Sequence, residues 1–261
     1  MAFPSVHYGS PGDEKVTSST KIGSLPLGVE MKIGDKAYVH SRAGGTAIVI
    51  GNLYQTVISA SSGDAGYVAG LACGSIAVGA NSITITAGGT TAIATNQYED
   101  GTIILSSSTG TGKGYTYHVK SNNSAAAGSA AVFKLWENDT VIEAIAGGTT
   151  KAQIRQNKYS AVLLTTADTA LTGALAGVSC ATAAASSYIW LAKKGDHATY
   201  VAGTAVTLGQ VVVASTAVAG AVADLVASTA GITSSKAGAN FVGTARTAGT
   251  TNGYAMIDLN L

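Results

Sequence analysis

Short runs of apolar residues alternate with polar positions along most of the chain. In the segment Ser82–Thr86, two isoleucines fall on one side and three hydroxyl residues on the other, which is the period of a half-buried strand. Residues 29–33 and 36–40 alternate in character on either side of Gly34 and Asp35, a dipeptide that suits a tight turn. This part of the chain therefore predicts a β-hairpin.

Similar β-branched or aromatic runs, bounded by Gly, Asn or Ser, predict further strands. They cover residues 46–50, 56–59, 82–86, 102–105, 115–120, 130–135, 160–164, 187–192, 199–202, 210–214, 221–226, 241–245 and 254–259. Helix is the weaker alternative for the alanine-rich stretches near Ala125 and Ala183, because Ser, Thr and Gly interrupt them. The spacing predicts an all-β protein with short-stranded β-sandwich or barrel-type domains.

Changes in character divide the chain into three parts. Residues 1–24 lack a periodic pattern and contain prolines, glycines and serines, so we expect an extended N-terminal arm that could lie across a neighbouring subunit. Residues 25–150 are expected to form a β-rich domain that begins with the hairpin, and residues 151–261 a second β-rich domain. The polar segment 141–158 is expected to be the boundary or a connecting loop.

Charge is scarce and evenly balanced. Only 11% of the 261 residues are charged, against about 25% in an average globular protein, and the formal net charge is +1. With 46% hydrophobic residues the chain should fold rather than remain disordered. The basic residues form no cluster in the sequence, which argues against nucleic acid as a partner. Little charge repulsion and many small side chains indicate a homo-oligomer or a lattice-bound subunit.

One glycine-rich motif deserves comparison with phosphate-binding loops. Residues 109–115 contain Gly112 and Lys113, but such a loop needs a glycine where Ser107 stands and a Ser or Thr where Gly114 stands. A strand rather than a helix is expected to follow, so no helix N-terminus would face a phosphate. We therefore expect a turn between two strands and assign no cofactor-binding residues.

Residues with catalytic or metal-binding potential are dispersed. The four histidines, His7, His40, His118 and His197, have no Cys, Asp, Glu or His partner at a recurrent metal-ligand spacing. Asp196 and His197 follow Lys193-Lys194-Gly195, where we expect a turn, and no nucleophile-elbow sequence supplies a serine for a triad. The acidic loops 99–101 and 137–139 offer too few spaced oxygen ligands for a calcium loop. We therefore assign no catalytic residue, no metal ligand and no cofactor.

The cysteines, the hydropathy and the N-terminal residues indicate no disulfide, membrane segment or signal peptide. Cys73 and Cys180 lie in apolar or small-residue surroundings, which favours two buried free thiols over a long-range disulfide. Residues 169–192 carry no charge, but Ser, Thr and Gly recur throughout, so no membrane segment is expected. The first residues lack the basic start and apolar stretch of a signal peptide, which indicates synthesis and assembly in the cytoplasm.

Three combinations of motifs resemble a family of bacteriophage virion structural proteins, and the match in pattern extends over most of the chain. They are residues 25–28 with the Gly34-Asp35 hairpin, 38–45 and 51–55; residues 96–101 with 110–117; and residues 188–191 with the ending 242–245 and 254–259. Members resemble head decoration (cement) proteins. The resemblance implies a non-enzymatic protein on the capsid surface, assembled in the host cytoplasm, that stabilises the capsid by binding the major capsid protein and itself as a dimer or trimer.

Two other classes remain in view. A tail fibre or other adhesive, receptor-binding virion protein would also be β-rich, oligomeric and poor in charge, although fibres usually have a longer repetitive shaft than this sequence shows. A polysaccharide-degrading virion enzyme would need two carboxylates that face one cleft. The fourteen acidic residues are scattered in loops and offer no such pair.

Overall fold

Strands dominate the computed structural model of the chain, which describes residues 6–56, 67–88, 92–106, 110–167, 171, 173–203, 205–225 and 241–261. Within these ranges no α-helix occurs, and the all-β class predicted from the sequence is confirmed. Three-residue 3-10 turns lie at Asp13–Lys15 and Ile22–Ser24. The strands are β1 (Val6–Tyr8), β2 (Glu30–Ile33), β3 (Lys36–Arg42), β4 (Leu53–Gln55), β5 (Tyr67–Ala72), β6 (Ser82–Thr86), β7 (Thr102–Leu105), β8 (Thr116–Asn122), β9 (Ala130–Leu135), β10 (Lys151–Arg155), β11 (Leu163–Leu164), β12 (Leu175–Ser179), β13 (Tyr188–Val201), β14 (Val211–Ala214), β15 (Val222–Asp224), β16 (Phe241–Ala245) and β17 (Gly253–Asn260).

The chain divides into two units, one of them inserted into the other. The inserted unit is Ile58–Asn157, and the flanking unit combines Ala2–Val57 with Lys158–Leu261. This division differs from the linear boundary expected between residues 150 and 151. The reason is strand pairing, because β3 pairs with β13 and β4 pairs with both β11 and β12. The N-terminal segment thus completes the sheet of the C-terminal half.

A curled six-stranded sheet forms the inserted unit, in the order β5-β10-β7-β8-β9-β6. A bridge between Cys73, just after β5, and Ile85 in β6 brings the two ends of this order together. The inward positions of the strands form one apolar core that includes Ile83, Ile103, Phe133 and Ile154. Outward positions are mostly polar or small, with Ile104 and Val132 as apolar exceptions.

Strand β10 corrects the expectation of a connecting loop at residues 141–158, although a unit boundary does fall at the end of this segment, between Asn157 and Lys158. It lies inside the sheet between β5 and β7. Ala152 and Ile154 are fully buried, whereas Lys151, Gln153 and Arg155 point away from the core. The polar residues that suggested a loop are the outward face of an alternating strand.

A closed five-stranded barrel is the centre of the flanking unit. The ring runs β13-β15-β14-β16-β17 and returns to β13 through eight register pairs between β13 and β17. Closure leaves these strands without a free edge. Aliphatic side chains fill the interior, among them Val212, Val242, Ile257 and Leu259. Beyond the ring, β3, β2 and β1 continue the sheet from β13.

Strand β13 is one continuous element of 14 residues, so the turn expected after Lys193-Lys194-Gly195 is wrong. The register against β3 shifts between Ala192 and Lys194, and Gly195 has a φ of 89°. A β-bulge therefore accommodates these residues without ending the strand. The strand's first half pairs with β3 and β12, and its second half belongs to the barrel.

The expected arm lies along its own chain over residues 6–24. Strand β1 pairs in parallel with β2, and the backbone of Ser18 exchanges hydrogen bonds with Tyr188. Residues 46–50 form a single bridge, between Ile48 and Ala183, instead of a strand. Most of the expected strand 56–59 lies outside the described residues, as does the end of the expected strand at Val226. The hairpin at Gly34 and Asp35 is confirmed.

Candidate interaction surface

An apolar surface covers part of the barrel's outer wall. Along β17 the side chains of Ala255, Ile257 and Leu259 point into the barrel, so the alternate residues point outward. Two of these outward residues are Tyr254 and Met256, which are 52% and 45% exposed. Strand period alone therefore places two large apolar side chains on the outside.

Neighbouring segments extend this surface. Tyr200 and Ala198 on β13 are the register partners of Tyr254 and Met256, and the two tyrosine ring centroids are 5.9 Å apart. Ile50, which is 47% exposed, lies beside them, because the Tyr254 hydroxyl donates to its carbonyl oxygen over 3.5 Å. We call Ile50, Ala198, Tyr200, Tyr254 and Met256 the barrel face.

Gly51 makes room for this arrangement. A Cβ atom at this position would lie 2.5 Å from Cε1 of Tyr254, and the residue has a φ of 75°. Its backbone also joins the barrel, since Tyr200 N donates to Gly51 O over 2.8 Å. A glycine is therefore required both for the backbone conformation and for the tyrosine ring that packs on it.

The barrel face contains no charged residue, and a charged pair lies next to it. Arg246 Nε lies 3.5 Å from Asp196 Oδ1, and Arg246 N donates to the backbone oxygen of Met256. Further along the outer wall, Val211 on β14 and Phe241 on β16 are also exposed. An apolar patch with aromatic residues, methionine and a polar rim has the composition of a protein interface. Because rigid strands present it, little ordering would be needed on binding.

The histidines expected to be structural lie apart. His40 is fully buried beside Trp190 and Tyr188, with ring centroids 5.1 and 5.6 Å away. Its Nδ1 lies 3.1 Å from the carbonyl oxygen of Pro26, while its buried Nε2 has no hydrogen-bond partner. Burial lowers the pKa of His40. The neutral ring therefore donates through Nδ1 and packs among aromatic residues.

The remaining histidines make separate contacts. His197 on β13 meets the Tyr38 ring edge-on at 5.3 Å, and burial, aided by Lys36, lowers its pKa to about 4. His118 on β8 lies 3.4 Å from Asp139 through Nδ1, and His7 belongs to β1. Among the residues that the structure describes, no group of three His, Cys, Asp or Glu residues could hold a metal ion.

The glycine-rich loop, the acidic loop at Glu137 and the two cysteines make local contacts within the fold. From Gly110 onward the glycine-rich loop connects β7 to β8, and the Thr111 hydroxyl donates to Ala144 O. Glu137 pairs with Lys120 at 3.0 Å, and this hydrogen bond lowers the pKa of the carboxyl. Both thiols are free: burial raises the pKa of Cys73 to about 11 and that of Cys180 to about 12. Neither is poised as a nucleophile, because the thiolate is the reactive form.

A second surface, which sequence reasoning missed, gathers four lysines at the turn of the β2–β3 hairpin. A cavity of about 340 Å³ is lined by Lys32, Lys36, Lys193 and Lys194 together with Glu30 and Asp35. We call it the lysine pocket. The sequence shows these residues as two separate pairs, and the pairing of β3 with β13 through Ala37 and Lys194 brings them together. The sequence feature that could have drawn attention to this surface is Lys193-Lys194-Gly195, two adjacent lysines in a chain with few charges.

Comparisons with known protein families, curated proteins and solved structures found no match. Across the described ranges, no helix has the length and apolar character needed to cross a lipid bilayer.

Proposed function

We propose that this chain is a non-enzymatic structural protein of a bacteriophage particle, which decorates and stabilises the head by binding the major capsid protein and further copies of itself. The observation that carries the proposal is the barrel face, an exposed apolar patch on a rigid closed barrel. The motif resemblance described above supplies the kind of particle, and the barrel face supplies a means of attachment.

The strength of attachment follows from the size of these side chains. Burying the exposed halves of Tyr254, Met256 and Ile50 contributes roughly 1 kcal/mol each. One such contact holds a subunit only weakly once the cost of association is included. Contacts to several subunits of a shell raise the overall affinity, because each later contact forms at high effective concentration. A decoration protein stabilises the shell in this way.

The scarcity of charge agrees with a subunit whose sides are covered by neighbours. A free protein with 11% charged residues and a net charge of +1 has little electrostatic repulsion between copies. When such a surface is covered by neighbouring subunits, its desolvation penalty is smaller than that of a highly charged surface, because few charges lose their water. The composition and the barrel face thus favour assembly over free existence.

Cryo-electron microscopy of intact particles of the source phage tests the proposal. We expect regular density for this fold on the outside of the capsid, in many copies arranged on the icosahedral lattice, with the barrel face against a neighbouring subunit. Density confined to the tail would favour an adhesive, receptor-binding protein instead. Absence of the chain from purified particles would refute a structural role in the virion.

A further inference from the structure

The lysine pocket has a spacing that selects among anionic partners. Lys32 on β2 and Lys194 on β13 are both register partners of Ala37, so all three residues lie on one face of the sheet. The two lysines are therefore two strand spacings, or about 10 Å, apart at their backbones. The buried Ala37 between them has a small side chain and leaves a gap between the two long ones.

The lysines are incompletely neutralised. Lys32 lies 3.6 Å from Glu30, and Lys36 donates to the backbone oxygen of Asp196 over 2.9 Å. Lys193 and Lys194 have no ion pair or side-chain hydrogen bond with any described residue. Four lysines line the cavity together with Glu30, Asp35 and Leu261, so lysines outnumber the acidic groups even when the carboxylate of Leu261 is counted.

The backbone at the pocket is built around these side chains. Gly195, with a φ of 89°, lies against Lys36, where a Cβ atom at residue 195 would be 2.9 Å from Lys36 Cγ. The bulge between Ala192 and Lys194 places Lys193 and Lys194 in succession at the same end of the sheet. The strand register thus fixes Lys32 and Lys194 on one face, whereas Lys36, next to Ala37 on β3, lies on the other face.

We propose that the lysine pocket binds the carboxylate side chains of an acidic, extended segment of a partner protein. The inference deepens the proposed function and rests on it only for the partner's identity, a neighbouring particle subunit. Carboxylates on alternate residues of an extended chain lie on one face about 7 Å apart, and the long lysine side chains can close the difference from the roughly 10 Å between the backbones of Lys32 and Lys194. Their flexible ammonium groups can each meet a separate carboxylate.

A compact phosphate group fits the pocket less well. One phosphate cannot span two lysines on strands about 10 Å apart without drawing both side chains together. The cavity lining offers neither an arginine fork nor a helix N-terminus, which are the usual partners of phosphate. Glu30 and Asp35 also repel a doubly charged phosphate more strongly than a single carboxylate.

Fluorescence anisotropy on the full chain tests the inference, with a labelled peptide of alternating glutamate and alanine as the probe and the glutamine version as its control. We expect the glutamate peptide alone to bind, at low ionic strength. Replacing Lys32 and Lys194 by glutamine together should weaken binding about tenfold. A matched double variant, Lys113→Gln with Lys134→Gln, removes the same charge from exposed positions of the inserted unit and should change binding less than about twofold.

Three outcomes would overturn the inference: no binding of the glutamate peptide, equal weakening in the two double variants, or complete competition by inorganic phosphate at matched ionic strength. The proposed function is tested separately by the presence of the chain on particles. If particles carry the Lys32→Gln, Lys194→Gln variant at full occupancy, the acidic partner segment is wrong while the decoration role stands.

Discussion

At the scale of single residues, buried polar side chains hold loops onto the sheets. Asn122, at the end of β8, is 3% exposed and has a hydrogen bond for each of its side-chain polar atoms. Its Oδ1 accepts from Tyr98 N at 2.8 Å, and its Nδ2 donates to Ala94 O and Asn123 O. The turn at residues 94–98 is thereby attached to the sheet of the inserted unit.

Replacing Asn122 by alanine should destabilise the inserted unit by about 1 to 3 kcal/mol, because Tyr98 N and Ala94 O would lose buried partners. Urea unfolding followed by circular dichroism measures the change. The matched control is Asn138→Ala, at an exposed position in a turn, which should alter stability by less than about 0.5 kcal/mol. Equal effects of the two changes would show that Asn122 does not hold the turn.

His197 should make the stability of the flanking unit depend on pH. Burial holds its pKa at about 4 in the folded chain, with a smaller contribution from Lys36 that Glu14, Asp196 and Asp35 oppose. The unfolded chain, with a histidine pKa near 6.5, therefore binds more protons as the pH falls. Stability is full above about pH 6.5 and decreases as the pH falls from there towards 4.

Between pH 6.5 and 5 the expected loss from His197 is at most about 2 kcal/mol, measured as the free energy of unfolding in urea. This window lies above the ordinary pKa of carboxyl groups. The variant His197→Gln should lose less stability over the same window, whereas His118→Gln, at a mostly exposed side chain, should behave like the parent chain. A parent chain with constant stability from pH 7 to 5 would contradict the prediction.

At the scale of elements, the barrel face is a product of strand alternation on β13 and β17. Replacing Tyr254 and Met256 by threonine keeps the strand propensity of β17 and removes apolar surface. We expect this double variant to lose about tenfold or more in affinity for particles from which the protein has been removed. The amount of rebound protein per particle, measured by gel densitometry after sedimentation, gives the occupancy.

The matched control for the barrel face lies on the inserted unit. Val78 and Ile142 are 62% and 59% exposed, so Val78→Thr with Ile142→Thr also removes exposed apolar groups but leaves the barrel unchanged. Full occupancy of the control and loss in the Tyr254 and Met256 variant would locate attachment at the barrel face. Full occupancy of both variants would exclude the barrel face as the attachment surface.

Short β-branched or aromatic runs bounded by Gly, Asn or Ser could be predicted as strands from the sequence, and other strands could not. Strands β6, β7, β9 and β16 begin and end at the predicted residues. Strand β12 was missed because four of its five residues are buried and Gly177 replaces a strand-forming side chain. That glycine is needed because a Cβ atom there would be 2.6 Å from Ala192 O. Such close backbone approach leaves no periodic signal.

The barrel face was only partly visible in the sequence. Tyr254 and Met256 alternate with buried residues, so their common side could be predicted, but no pattern could show whether that side faces a core or solvent. Tyr254 reaches Ile50 over a separation of 204 residues. Contacts of this kind depend on how the two halves of the flanking unit pair, which local hydrophobic periodicity does not encode.

At the scale of the whole molecule, the insertion makes one unit continuous in sequence and the other discontinuous. The apolar core of the inserted unit uses residues between Leu71 and Ile154 alone. Tyr67 and Arg155 are register partners, so the two ends of this unit lie side by side. In the flanking unit, Gln55 pairs with Leu163 across the insertion point. Each unit thus has its own core and closely spaced ends, as tolerated domain insertions require.

Residues 58–157 expressed alone should therefore fold cooperatively, with a single urea transition seen by circular dichroism. The matched control is the fragment 25–150, which follows the boundary expected from the sequence. It lacks β10, which pairs with both β5 and β7, and it carries β2, β3 and β4 without β13 and β12. The unpaired edges and the missing central strand should leave that fragment without a cooperative transition. A cooperative transition in fragment 25–150 and none in fragment 58–157 would mean that the linear boundary describes the folding units better than the insertion does.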